Sequence, residues 1–169
     1  MKFFLIGMPG SGKTTLGRQL AEALSLPFID LDHEIEAREG IQVKEIFATR
    51  GEDNFRLIES DTLKFFASSA EDFVLATGGG APCFHNGIDI INASGTSIFL
   101  DVPVEEIVRR VESNTDRPLL TTNENADDKI KQLRERLEGI REARLNVYRK
   151  ASITVVNPVL ADLLLSVKR

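Results

Sequence analysis

Short apolar runs alternate along this chain with longer stretches in which apolar residues recur every three or four positions. KFFLI (residues 2–6) is apolar throughout after its lysine, the pattern of a strand buried on both faces. In TLGRQLAEALSL, Leu16, Leu20 and Leu24 lie four apart and line one stripe of a predicted helix. Pro27 ends that helix, and PFIDLD reads as a second, short strand. HEIEAREG and QVKEIFATRG predict two short helices, each closed by a glycine, Gly40 and Gly51. EDNFRLIESDTLKFFASS opens on acidic residues and spaces Phe55, Ile58, Leu63 and Phe66 at roughly helical intervals. DFVLAT and TSIFLDV predict the third and fourth strands. Pro103 then suits the first turn of the helix predicted by VEEIVRRVES. NTDRPLLTTNENADD is polar, carries a proline and reads as a loop. KIKQLRERLEGIREARLNVYRK predicts a long helix, SITVV a fifth strand and PVLADLLLSVK a closing helix.

Strands alternating with helices predict an α/β fold: three layers, α/β/α, around a central five-stranded parallel sheet. At 169 residues the chain has the size of one domain with a proper core. No apolar run approaches the length of a membrane span. The apolar N-terminus is too short for a secretory signal and leads into glycine and lysine, so it reads as a strand. The single cysteine, Cys83, cannot form an internal disulfide, which suits a reducing cytoplasm. A formal net charge of -5 argues against a nucleic-acid partner, which needs a basic face. No seam for a second copy is visible, so the expectation is a cytoplasmic monomer without membrane or nucleic-acid partners. An anionic ligand must then find local positive charge, which makes the arginines important.

GMPGSGKT (residues 7–14) fits G-x-x-x-x-G-K-[ST], with a predicted strand before it and a predicted helix after it. Glycines let such a loop curl so that backbone N–H groups face phosphate oxygens, and the helix start adds the positive end of its dipole. Lys13 should reach the β- and γ-phosphates of ATP, and the Thr14 hydroxyl should bind Mg²⁺. Gly10, Ser11, Gly12, Lys13, Thr14 and Thr15 are the ATP-binding candidates. The chain has no N-K-x-D and no D-x-x-G motif, which argues against a GTPase. A small-molecule kinase, an ATPase and a nucleotide-binding module remain.

FIDLDHE places Asp30 and Asp32 where the second strand should end, the edge that faces the ligand crevice in such a sheet. Separated by one residue, the two carboxylates point the same way along an extended backbone. One could hold Mg²⁺ through water and the other accept a hydroxyl proton. The alternative is a helix N-cap at Asp32 with Asp30 solvated. His33 and His85 both lie near predicted helix starts and read as surface residues. Gly78, Gly79 and Gly80 close the third strand on the same crevice edge, without the G-K-[ST] ending of a triphosphate loop. Side chains there would occupy the space of a small ring, and bare N–H groups could donate to it.

Arg56 lies four residues after Glu52 and three before Glu59. It is either a forked donor for a carboxylate ligand or half of a surface ion pair with Glu59. Arg144 sits in a stretch crowded with solvated charge, whereas Arg117, beside Pro118 in a loop, suits a lid. In order and spacing GMPGSGKTT, DLD, FRLIE, GGG, RPLL and RLNVY resemble the shikimate kinase family over effectively the whole chain. The resemblance implies a P-loop NTPase fold of the nucleoside-monophosphate-kinase-like type with a mobile lid. It implies one domain over 1–169, with substrate-binding helices at about 32–60 and the lid at about 112–126. The implied reaction moves the ATP γ-phosphoryl group to the 3-hydroxyl of shikimate. By the same resemblance Asp32, Lys13 and Arg117 are catalytic, with Asp32 as base. Asp30 stands near Mg²⁺; Arg56 and Arg144 bind the substrate carboxylate, with Glu59 beside Arg56. Gly78–Gly80 lie against the substrate, Gly79 most directly. Arg117 is the lid arginine on the phosphates, and Arg110 stands beside the adenine. The chain departs from the family in carrying Ala76 and Thr77 where a serine is common near the metal's water shell, and in its acidic TTNENADD loop. A related kinase of gluconate or a nucleoside monophosphate is the alternative, and a regulatory nucleotide-binding module the rival of another class.

Overall fold

Five strands, β1 (Lys2–Ile6), β2 (Phe28–Asp30), β3 (Phe73–Ala76), β4 (Thr96–Asp101) and β5 (Ile153–Val156), form one parallel sheet in the order β2-β3-β1-β4-β5. The computed structural model describes residues 1–113 and 126–168. The helices among the described residues are α1 (Lys13–Leu24), α2 (Leu31–Glu39), α3 (Val43–Ser68), α4 (Gly87–Ser94), α5 (Val104–Ser113), α6 (Ala126–Tyr148) and α7 (Leu160–Val167). A 3₁₀ turn, Ala81–Cys83, stands between β3 and α4.

β1 explains the layering. Its residues alternate between sheet faces, and both faces are covered. Phe4 and Ile6 join a cluster with Leu31, Ile35, Phe55, Leu63, Ile107 and Leu137, from α2, α3, α5 and α6. Phe3 and Leu5 join Leu20, Ala21 and Leu163, from α1 and α7. The predicted Leu16, Leu20 and Leu24 stripe is the face of α1 that packs there. Helix α1 approaches closely because residue 17 is glycine: a Cβ there would stand 2.7 Å from Phe28 Cε2 and 2.9 Å from Leu5 Cδ1.

With β3 on one side of β1 and β4 on the other, the connections diverge from the central strand. That divergence opens a crevice at the carboxyl ends of the strands. The phosphate loop follows β1, and the glycine run follows β3, at this edge.

Several element boundaries differ from the sequence reading; α6, for one, takes in Ala126 to Asp128, which read as loop. Helix α2 starts at Leu31, two residues earlier than His33, because Asp30 caps it. The helices expected on either side of Gly51 abut without a loop, the backbone leaving helical geometry only at Gly51 (φ 79°, ψ 167°). Gly40 (φ 72°) closes α2 as expected, and a turn and α4, not a hairpin, follow the glycine run.

Candidate active site

The loop from β1 to α1 needs left-handed backbone at Gly10 (φ 79°) and Gly12 (φ 90°), conformations that L side chains adopt only with strain. Gly12 is the N-cap of α1, so the helix begins at Lys13. The Lys13 ammonium donates to the Gly7 and Met8 carbonyls at 3.0 and 2.8 Å. Burial lowers its pKa to about 8, against the opposing pull of Asp32 and Asp30. The Ser11 hydroxyl is fully enclosed and finds no partner among the described residues. Thr14 and Thr15 line the cleft beside it.

The aspartate pair departs from its expected geometry. Asp30 is the last residue of β2 and Asp32 lies in the first turn of α2, so they do not share one extended strand. The helix cap is Asp30 rather than Asp32: its Oδ1 accepts the Asp32 and His33 amides at 3.2 and 3.3 Å. Its Oδ2 accepts the Thr14 hydroxyl at 2.8 Å. A carboxylate at the end of a strand is the stronger competitor for the orphan helix amides, so Asp32 is left free of capping. Asp32 Oδ1 is buried with no hydrogen-bond partner among the described residues. Its pKa is raised, first by burial and then by Asp30, with Lys13 pulling the other way. His33 and His85 are exposed, as expected.

Against the glycine run, Arg56 is buried, and its ion pair with Glu59 is an interior one rather than the surface pair that α3 periodicity permits. Arg56 Nη1 donates to Glu59 Oε1 at 2.8 Å, and Nε and Nη2 to Glu52 Oε1 at 3.3 Å. The Phe84 ring stacks 4.2 Å from the guanidinium. Burial holds Glu59 above the usual carboxylate range although Arg56 opposes it.

The glycine run is the wall between these groups. A Cβ at Gly78 would stand 2.9 Å from both Asp32 Oδ1 and Glu59 Oε2. One at Gly79 would stand 3.0 Å from Pro9 Cδ and 3.3 Å from Arg144 Nη1. One at Gly80 would fall 2.6 Å from Arg56 Cζ and Nη2. None of the three has a positive φ, so they are glycines for space and not for conformation. Their amides donate to no acceptor among the described residues. Arg144, half-buried on α6, makes no ion pair with a described residue.

A cleft of about 900 Å³ joins the phosphate loop, Asp30, Asp32, Gly78, Gly79 and Arg110. Arg110, on α5, stands over the loop with Nη1 3.5 Å from the Gly10 carbonyl. Arg117, and residues 114–125 of the lid expected at about 112–126, lie outside the described residues. Thr77 lines the cleft, but its hydroxyl donates to the Leu5 carbonyl at 3.0 Å. Pro9, Leu16 and Gln19 also line the cleft without having been expected there, as do Pro158, Val159 and Leu160 from the far end of the chain. The last three join the cleft because β5 ends beside β4, and no local signal in PVLADLLLSVK announces that. Tyr148 was expected only as part of the R-x-x-x-Y pattern; its hydroxyl donates to the Gly79 carbonyl at 2.6 Å.

A phosphate loop after the central parallel strand, sharing one cleft with a buried carboxylate, a glycine wall and Arg110, defines a P-loop kinase of small molecules. Comparison with known proteins narrows the class. The family model "Shikimate kinase" matches residues 9–162. The shikimate kinase of Parabacteroides distasonis is 44% identical over 154 residues, 90% of this chain and 86% of that one. The crystal structure of Bacteroides thetaiotaomicron shikimate kinase superposes with a TM-score of 0.87 at 32% identity, covering 100% of this chain and 99% of the other. The Acinetobacter baumannii enzyme, solved in complex with shikimate, gives a TM-score of 0.80 at 35% identity, over 99% of this chain and 90% of its own. The chain belongs to the shikimate kinase family.

Proposed function

We propose that this chain transfers the γ-phosphoryl group of ATP to the 3-hydroxyl of shikimate, giving shikimate 3-phosphate and ADP. The observation that carries the reading is Asp32: a buried carboxylate oxygen without a partner, between the phosphate-loop lysine and the Arg56–Glu59 pair. Phosphoryl transfer asks a protein mainly for positioning and charge, plus one acceptor for the hydroxyl proton. Asp32 takes that proton, and burial makes it more basic than an ordinary carboxylate.

Arg56 and Arg144 hold the substrate carboxylate, two guanidinium donors fixing its orientation as well as its charge. The free amides of Gly78–Gly80 donate to the ring side. Lys13 exchanges its loop carbonyls for phosphate oxygens, joined by Ser11, the loop amides and Arg110. Arg117 is assigned to the transferring phosphoryl group by resemblance alone. Thr14 and Asp30 would hold Mg²⁺: their oxygens are hard donors 2.8 Å apart. When bound, that ion neutralises charge on the β- and γ-phosphates. The proposed unit is a single domain over 1–169, acting as a cytoplasmic monomer; no helix among the described residues is long and apolar enough to cross a membrane.

A coupled ADP-release assay tests the reading. ADP release should depend on shikimate. Release that ignores shikimate would mark a nucleotide-binding module or an ATPase, and comparable turnover of gluconate would move the substrate assignment.

A further inference from the structure

We infer that Tyr148 is a positioning residue for the substrate, holding the Gly79–Gly80 peptide in the one orientation that turns its N–H away from the core. The inference rests on the shikimate reading above. Tyr148 is fully buried at the end of α6, its ring 5.2 Å from that of Phe99 on β4. Its hydroxyl donates to the Gly79 carbonyl at 2.6 Å.

A trans peptide is planar, so its C=O and N–H point in opposite directions. Fixing the Gly79 oxygen toward Tyr148 therefore fixes the Gly80 N–H toward the other side. Glycine offers little resistance to a peptide flip, since both signs of φ are open to it. With three glycines in a row, the wall has no side chain of its own to lock it. The Tyr148 hydroxyl supplies the lock from below.

The same bond sets a second distance. Arg144 precedes Tyr148 by four residues, one turn of α6, and its Nη1 lies 3.3 Å from where a Gly79 Cβ would stand. Tying the wall to α6 at Tyr148 thus spaces the glycine run from a substrate-binding arginine on the same helix. The phenol keeps its proton throughout the working range, because burial pushes its pKa to about 12 despite the nearby Arg144 charge.

Tyr148→Phe removes the hydroxyl and keeps the ring. Steady-state kinetics on this variant should show the shikimate KM raised roughly three- to tenfold, the worth of one hydrogen bond, with the ATP KM within about twofold of native. Phe99→Leu loosens the ring and keeps the hydroxyl; it should lower Tm and leave the shikimate KM within about twofold. Tyr148 is the one tyrosine in a chain without tryptophan, so tyrosine emission of the native protein should change as shikimate is titrated in. An unmoved shikimate KM in Tyr148→Phe beside normal native turnover overturns the inference alone. An equal rise in Phe99→Leu also overturns it, since packing would then be the cause. If native protein shows no shikimate-dependent ADP release, the substrate reading and this inference fall together. Should Tyr148→Phe not fold, the emission titration decides: a change supports the lock and a flat titration overturns it.

Discussion

The role proposed for Asp32 comes at a cost to the fold. Its raised pKa means that the folded chain holds this proton more tightly than the unfolded chain. The associated stability is present below the unfolded pKa, near 3.9, and is lost as pH rises through the folded value. At neutral pH the buried carboxylate is therefore a net burden. Asp32→Asn should lower kcat by roughly a hundredfold or more while the ATP KM stays within about twofold. In the same variant Tm at pH 7 should rise, because the charge whose burial raises the Asp32 pKa is gone. A near-normal kcat would remove Asp32 from the chemistry. Lys13 makes the complementary prediction at alkaline pH. Its pKa of about 8 belongs to the protein without phosphates around the ammonium. The kcat/KM for ATP should accordingly bend downward near pH 8, while kcat, measured with triphosphate bound, should hold its value to higher pH. A kcat/KM flat to pH 10 would contradict this assignment.

Among the elements, the segment after β3 shows how a wall is built from missing side chains. The resemblance singles out Gly79 as the direct contact, but the tightest position is Gly80, packed against the Arg56 guanidinium. Arg56 cannot yield easily, because Glu59, Glu52 and the Phe84 ring hold it. Gly80→Ala should therefore raise the shikimate KM by more than about tenfold, since charged hydrogen bonds are worth about 1.5–3 kcal/mol. Gly79→Ala meets only the ring of Pro9 and one flexible arginine tip, and should do less. If kinetics on the two variants reverse that order, Gly79 is the nearer to substrate. The start of α2 is likewise an element with two roles. Asp30 caps it and also accepts the Thr14 hydroxyl, joining the phosphate loop to the helix that carries Asp32.

For the whole molecule, the two proposed ligands would meet where the sheet divides, so binding should be felt throughout the fold. Shikimate at about a hundred times its Kd should raise Tm by roughly 5–10 °C, from about 2.7 kcal/mol of linkage; gluconate at the same concentration should leave Tm in place. A scan in which both or neither shift it would count against the substrate assignment. Much of this arrangement was legible in the chain, because its signals are local. Continuous apolar runs mark strands covered on both faces, as Phe3 to Ile6 illustrate. A glycine-lysine loop between strand and helix marks the phosphate site, and the order of short motifs marks the family. Other features depend on residues far apart in sequence. Nothing in NFRLIE tells a buried Arg56 from a solvated one; only the packing of Phe84 and Gly80 on it decides. The D-x-D spacing is compatible with a strand end or a cap, and the cap went to Asp30 because β2 stops there. Tyr148 reaches Gly79 across 69 residues. Periodicity and motif act over a few residues, so the layers, the phosphate loop and the chemistry available to the cleft follow from the local pattern of the chain. Which side chains are dry, paired or left free to meet a ligand was decided only in the tertiary structure, because burial and hydrogen-bond competition are properties of the whole packing.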